Sequence, residues 1–287
     1  MEAMLNRLVK IALFALVIGS PAPRLADAAV TTNYSDLWWN PLESGWGVNI
    51  SQQADMLFVT FFVFDANRQP SWYTAELTFL GQRANGNLIF TGDNYVTSGP
   101  RFDGRFDPGT VGTRRVGSAS FTATSVSAGN LVYTVDGVTV RKSLVRQTLK
   151  TENVSGTYVG AASASQACSD PTLNGEFVQP MRVTLVHSGS SFQMSTTDVE
   201  TGRQCFWAGT YIQDGQVARA GGDYSCASGE VGTFNFFEIQ SSISGIMGRL
   251  STVSTINGTT CNIDGRLAAV QTANVDLPSL KTVQAVE

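Results

Sequence analysis

Residues 36 to 64 read DLWWNPLESGWGVNISQQADMLFVTFFVF, with three tryptophans between positions 38 and 46. Their spacing decides the fold. Side chains alternate across a β-strand, so the adjacent Trp38 and Trp39 face opposite ways, Trp39 with Leu37 and Trp38 with Asp36 and Asn40. Pro41 and Gly45 supply turn chemistry, and Glu43 sits within that turn. Trp46, Val48 and Ile50 then form an apolar set with Asn49 and Ser51 opposite. The run from Met56 to Phe64 is apolar on both faces, which a half-buried strand does not need. Its outer side therefore calls for a cover: a second domain, a partner or a ligand. In the following strand Tyr73, Ala75, Leu77 and Phe79 make the apolar set, while Trp72 lies with Thr74 and Glu76. Trp38 and Trp72 thus read as standing on polar faces beside amides and carboxylates.

The same alternation continues along the chain. Short segments recur every 8 to 12 positions, separated by turns such as Asn85-Gly86, Asp136-Gly137, Asp214-Gly215 and Asn257-Gly258, the pattern of an all-β barrel or sandwich. Residues 29–150 and 151–270 each offer about eight strands. Eight antiparallel strands close into an up-and-down barrel that leaves no edge. The expected fold is all-β, two antiparallel barrel-like domains of lipocalin- or avidin-like architecture, with one large two-sheet β-sandwich as the alternative. A tail, 271–287, lacks alternation and is expected to be loose.

Upstream, Arg7 and Lys10 precede the apolar run Ile11 to Ile18, and Ala26-Asp27-Ala28 offers a small-x-small cleavage site. Residues 1–28 therefore read as a signal peptide, since the apolar run is about half of the roughly 20 residues that span a bilayer. The expectation is an exported protein, periplasmic or secreted, with no transmembrane segment after cleavage. Most strands carry Ser, Thr and Gly on both faces, unlike the apolar-out, polar-in rhythm of an outer-membrane barrel.

Charge divides the chain as the strands do. Residues 29–150 hold ten Lys/Arg against nine Asp/Glu, and residues 151–287 hold six against twelve. The second half should avoid nucleic acid and anionic surfaces. All four cysteines, Cys168, Cys205, Cys226 and Cys261, lie there. An even count in an exported chain points to disulfides, and spacings of 37, 21 and 35 residues do not make the close pairs of a thiolate metal site. The turn at Asp214-Gly215 sets residue 205 opposite about 224 to 226, so the expected pairs are Cys205–Cys226, with a bulge allowed, and Cys168–Cys261. No metal site and no cofactor motif is found.

The segment LWWNPLESGWGVNISQQADMLFVTFFVFDANRQPSWY resembles one that recurs in secreted proteobacterial β-domain proteins. It carries a W-W-N-P-x-E-S-G-W-G core, here Trp38 to Asn40, Pro41, Glu43 to Gly47, followed by Gln53, Asp55, Leu57 and Phe58, and then Pro70, Trp72 and Tyr73. The resemblance covers about 37 residues and implies an exported bacterial β-module. That family has no assigned activity, so no catalytic residue carries over.

Tryptophans beside Asn, Asp and Glu are what saccharide stacking and small-ligand pockets use. The candidate ligand-binding residues are accordingly Trp38, Asn40, Glu43, Trp72 and Glu76. Catalysis is poorly supplied. His187 is the only histidine and sits at a turn, no G-x-S-x-G elbow accompanies it, and Glu43 and Glu76 are the only acids near the tryptophans that could act as a glycosidase pair. The loop RFDGRFDPGTVGTRR, 101 to 115, reads as self-paired surface charge or an anion- or partner-docking loop. The leading expectation is a non-enzymatic exported protein that binds a small or saccharide ligand, or an envelope protein partner, through its N-terminal domain. The alternative is an envelope structural or adhesion protein without a small-molecule site, and a secreted hydrolase comes third.

Overall fold

The computed structural model describes residues 30 to 272 except Phe102. The leader reading and the tail beyond Thr272 fall outside the described residues. Sixteen strands form two closed barrels of eight, each in simple up-and-down order. The first contains β1 (Asp36–Trp39), β2 (Gly47–Gln53), β3 (Met56–Phe64), β4 (Pro70–Gln82), β5 (Leu88–Ser98), β6 (Gly112–Ala123), β7 (Ala128–Val135) and β8 (Val138–Arg146). Pairing of Trp38 with Arg146 closes it. The second contains β9 (Gly156–Cys168), β10 (Gly175–Ser188), β11 (Ser191–Asp198), β12 (Gln204–Asp214), β13 (Val217–Cys226), β14 (Val231–Ser242), β15 (Gly245–Ile256) and β16 (Thr259–Gln271). Here β16 returns to β9. The sandwich alternative is thereby excluded. Gln271, assigned to the tail by its sequence, is the last residue of a strand.

Each barrel buries one face of every strand. In β3 the inward Leu57, Val59 and Phe61 are wholly buried, while Met56, Phe58, Phe62 and Phe64 project from the outer wall, 41 to 59% exposed. Nothing within the described residues covers that outer row, so of the three covers the sequence calls for the second domain is not the one. The interior of the first barrel is aromatic. Trp38 meets Phe121 edge to face at 5.2 Å, and Tyr34 packs against both Phe90 and Phe121. Such contacts add about 0.5–1.5 kcal/mol each beyond area burial.

The second barrel docks on the end of the first, not on its wall. Arg146 and Asp36 form an ion pair at 3.0 Å with side chains only 1% and 4% exposed. The Arg146 guanidinium also donates to the carbonyls of Asn33, Ser35 and Val126 and lies over the Trp38 ring. A buried pair holds only when its remaining hydrogen-bonding capacity is satisfied. The second domain completes that requirement: the backbone N–H of Gln216, in the β12–β13 hairpin, donates to Asp36 at 2.7 Å. Gly215 must be glycine, because its φ is +66° and a Cβ there would reach within 2.1 Å of the Asp36 carboxylate. Thr148 bonds both the Gly215 N–H and the Gln213 carbonyl, and Thr32 donates to Glu238.

Both disulfides pair as expected. Cys205 stands directly opposite Cys226 and Cys261 opposite Cys168, each with Cα atoms 3.9 Å apart. The β12–β13 register is continuous, so no bulge is needed. Both bridges sit at the rim remote from the Gly215 hairpin. One of them staples the seam between β16 and β9 where the barrel closes.

Candidate functional site

The tryptophan stretch is structural at three of its five proposed binding residues. Trp38 is 1% exposed and points into the first barrel, its indole N–H donating to the Tyr34 carbonyl at 3.0 Å. The face it shares with Asp36 is the interior. That corrects the reading of a polar, outward face: the carboxylate points inward because Arg146 meets it. Asn40 caps its own turn, accepting the Leu42 N–H on Oδ1 and the Glu43 N–H on its carbonyl. Glu43 accepts from the Trp46 indole and from Lys142, and the Lys142 ammonium also lies over the Trp46 ring. The Lys142 hydrogen bond is the main reason the Glu43 carboxyl is held below its ordinary pKa. Together these groups make a lid over the end of the first barrel away from the second.

Trp72 and Glu76 are on the opposite surface. Trp72 is 50% exposed and stands beside Phe62 on the outer wall, and Glu76 stands beside Phe58. The structure thus separates Trp38 from Trp72 by the thickness of the barrel wall and does not bring the five residues together.

A cavity of about 120 Å³ lies instead in the second barrel. Its apolar wall includes Met181, Met194, Leu250 and Leu267, with Trp207 stacked on Tyr224 at 4.2 Å. The space exists because β9 and β16 present Ala162, Ala164 and Gly265 where the other strands present large side chains. Gly265 also lets β9 approach closely, since a Cβ there would come within 2.4 Å of Ala164. The Trp207 indole donates to Thr196 at 3.1 Å. Thr252, 3% exposed, lines the cavity with an Oγ1 that has no hydrogen-bond partner among the described residues.

At the disulfide rim the lining turns polar. Glu230 accepts from the Tyr224 hydroxyl at 2.7 Å and from Arg203 at 2.9 Å. Burial, and then the adjacent Glu230, push the Tyr224 hydroxyl up to about 12. Asp198 accepts from Gln179 and from the N–H groups of Glu200 and Thr201. Burial opposes its ionisation, but these donors outweigh it and its pKa is lowered. The arrangement can hold a small apolar body and present polar groups at one end.

Local sequence carried a trace of this site. The run GAASASQA, 160 to 167, is unusually small for a strand, and Trp207 stands two residues from Cys205 on a shared face. A hole, however, is a deficit summed over eight strands, and no single strand displays it.

The remaining candidates make contacts within the chain. The ring of His187 rests against Tyr211, centroids 4.1 Å apart, with Nε2 2.8 Å from the Gly189 carbonyl. In and beside the 101–115 loop, Arg101 pairs with Asp103, Arg114 with Asp136 and Arg115 with Asp93. Among the described residues no group of three or more His, Cys, Asp or Glu side chains is placed to hold a metal ion, and no helix is long and apolar enough to cross a membrane. Comparison with family models, with curated proteins and with solved structures returns no match.

Proposed function

We propose that the protein is an exported, non-enzymatic binding protein whose small-molecule site is the cavity of the second barrel. The observation that carries this reading is the cavity itself, apolar within, polar at the rim and bordered by an unpaired buried hydroxyl. The two rim carboxylates each have several structural partners, which favours binding over acid–base chemistry. The leader pattern of residues 1–28 and the two disulfides support export, and so does the resemblance of residues 37 to 73 to secreted bacterial β-modules. The test is a titration with toluene, followed by the methionine methyl resonances of 13C-labelled protein. Shifts confined to Met181 and Met194 are expected. Shifts absent from those two residues at saturating toluene rule the reading out.

A second reading keeps a role for the N-terminal domain. Phe58, Phe62, Phe64 and Trp72 form an exposed aromatic row on one wall, with Glu76 among them. Such a surface suits a saccharide chain or an envelope protein partner. A glycan array probed with wild-type protein and with Trp72→Ala separates this from the cavity, which lies in the other domain.

A further inference from the structure

The chemistry of the second-barrel cavity narrows what it takes, an inference that rests on the binding reading above. The geometry points to a neutral molecule of about one ring that carries a single uncharged oxygen, a hydroxyl or a carbonyl, directed at Thr252 Oγ1. Size sets the first limit. The cavity measures about 120 Å³, close to the roughly 150 Å³ apolar cavity known to accept benzene. A fused-ring system or a long acyl chain would have to emerge past the polar rim.

Charge sets the second limit. The lining presents two carboxylates, Asp198 and Glu230, and two guanidiniums, Arg203 and Arg266, so it has no net charge to draw an ion of either sign, and Arg203 is already paired with Glu230. A ligand cation finds both carboxylates already accepting hydrogen bonds from Gln179, from two backbone N–H groups, from Tyr224 and from Arg203. It would have to displace those donors to pair. What remains without a hydrogen bond of good geometry is Thr252, 3% exposed, whose Oγ1 has only the Tyr224 hydroxyl near it. A buried polar group left unpaired is costly, and a ligand oxygen beside it removes that cost. Its hydroxyl both donates and accepts, so it serves an alcohol, a phenol or a carbonyl equally.

The experiment uses the full mature chain and four single-ring probes, toluene, phenol, benzoate and benzylamine, with affinities from calorimetric titration and position from the Met181 and Met194 methyl resonances. Thr252→Val, which keeps the side-chain shape, is the variant. Phenol affinity should fall about tenfold in Thr252→Val, while toluene affinity stays the same or rises. The unliganded variant should melt no lower than wild type, because the hydroxyl it removes makes no hydrogen bond of good geometry. Benzoate or benzylamine binding more tightly than phenol overturns the neutral class. Phenol and toluene weakened equally overturns the Thr252 contact. Toluene binding in the cavity with no phenol binding overturns this inference and leaves the binding reading standing, whereas no probe binding there overturns both.

Discussion

The first barrel closes around Trp38, Phe61, Phe90 and Phe121 and is plugged at both ends, by the Asp36–Arg146 pair and by the Trp46 lid. The second closes around Phe192, Phe234 and Phe236 toward the first barrel, but toward its disulfide rim it places alanines and a glycine opposite Trp207. Strand number, topology and closure are the same. An eight-stranded barrel is only just wide enough to be filled by its own side chains or to hold one small ligand. The contrast teaches that a handful of small residues on two adjacent strands separates a packed core from a receptacle, with no change in the fold around it.

The largest effect should come from emptying the filled barrel. Trp38→Ala is expected to cost about 3–5 kcal/mol through the cavity it leaves, seen as a lower first transition in calorimetry. Loss of the disulfides should act chiefly on the other barrel. By loop-closure arguments Cys168–Cys261, spanning 93 residues, contributes about 4.5 kcal/mol and Cys205–Cys226, spanning 21, about 3 kcal/mol. Paired Cys→Ala variants should lower chiefly the transition of the second barrel. A shift of the first transition by the same amount would mean that the barrels do not unfold as separate units.

The next test inverts the sign. Ala75→Leu adds volume to a filled interior and should destabilise by about 1–3 kcal/mol, whereas Ala162→Leu fills a cavity and should stabilise by about 0.5–2 kcal/mol while abolishing toluene binding. Equal destabilisation by both would show the two interiors to be alike.

The smallest effects belong to the surface and the lid. Trp72→Ala should change stability by no more than about 0.5 kcal/mol, against the large loss at Trp38. Glu43 has its pKa depressed below 4.5, chiefly by Lys142. The lid contact is therefore present above the ordinary carboxylate value and is lost as pH falls through the lower, folded value. An acid titration followed by tryptophan fluorescence should show that step, and Glu43→Gln should remove it.

The fold was readable because it depends on period. Alternation over sixteen segments, glycine and asparagine turns, and a short linker at the change in charge all act within a few residues. Cys205–Cys226 followed from strand register once the Asp214-Gly215 turn was placed, and Cys168–Cys261 was the pair that remained. The site was not readable for the opposite reason. Alternation put Trp38 on the same face as Asp36 but could not tell which face was inside, and the carboxylate argued for outside. What turns it inward is Arg146, 110 positions away, together with an N–H from Gln216 in the other domain. Glu43 looked available because its partner Lys142 is brought to it only by closure, whereas Asn40 is taken up by a local turn bond to Leu42 that the NPLES stretch already permitted. The outer row of β3 was recognised as needing a cover, and the structure leaves it exposed.

The hairpin that donates to Asp36 also sets an order of assembly. During synthesis the first barrel has all its strands once Arg146 has emerged, yet a lone-pair site of its buried carboxylate stays empty until Gly215 and Gln216 follow. An N-terminal barrel without its neighbour would have an unfinished floor, and the C-terminal barrel serves it as an intramolecular stopper. A chain truncated after residue 150 should exchange the amide protons of β1 and β8 faster than the full-length protein does.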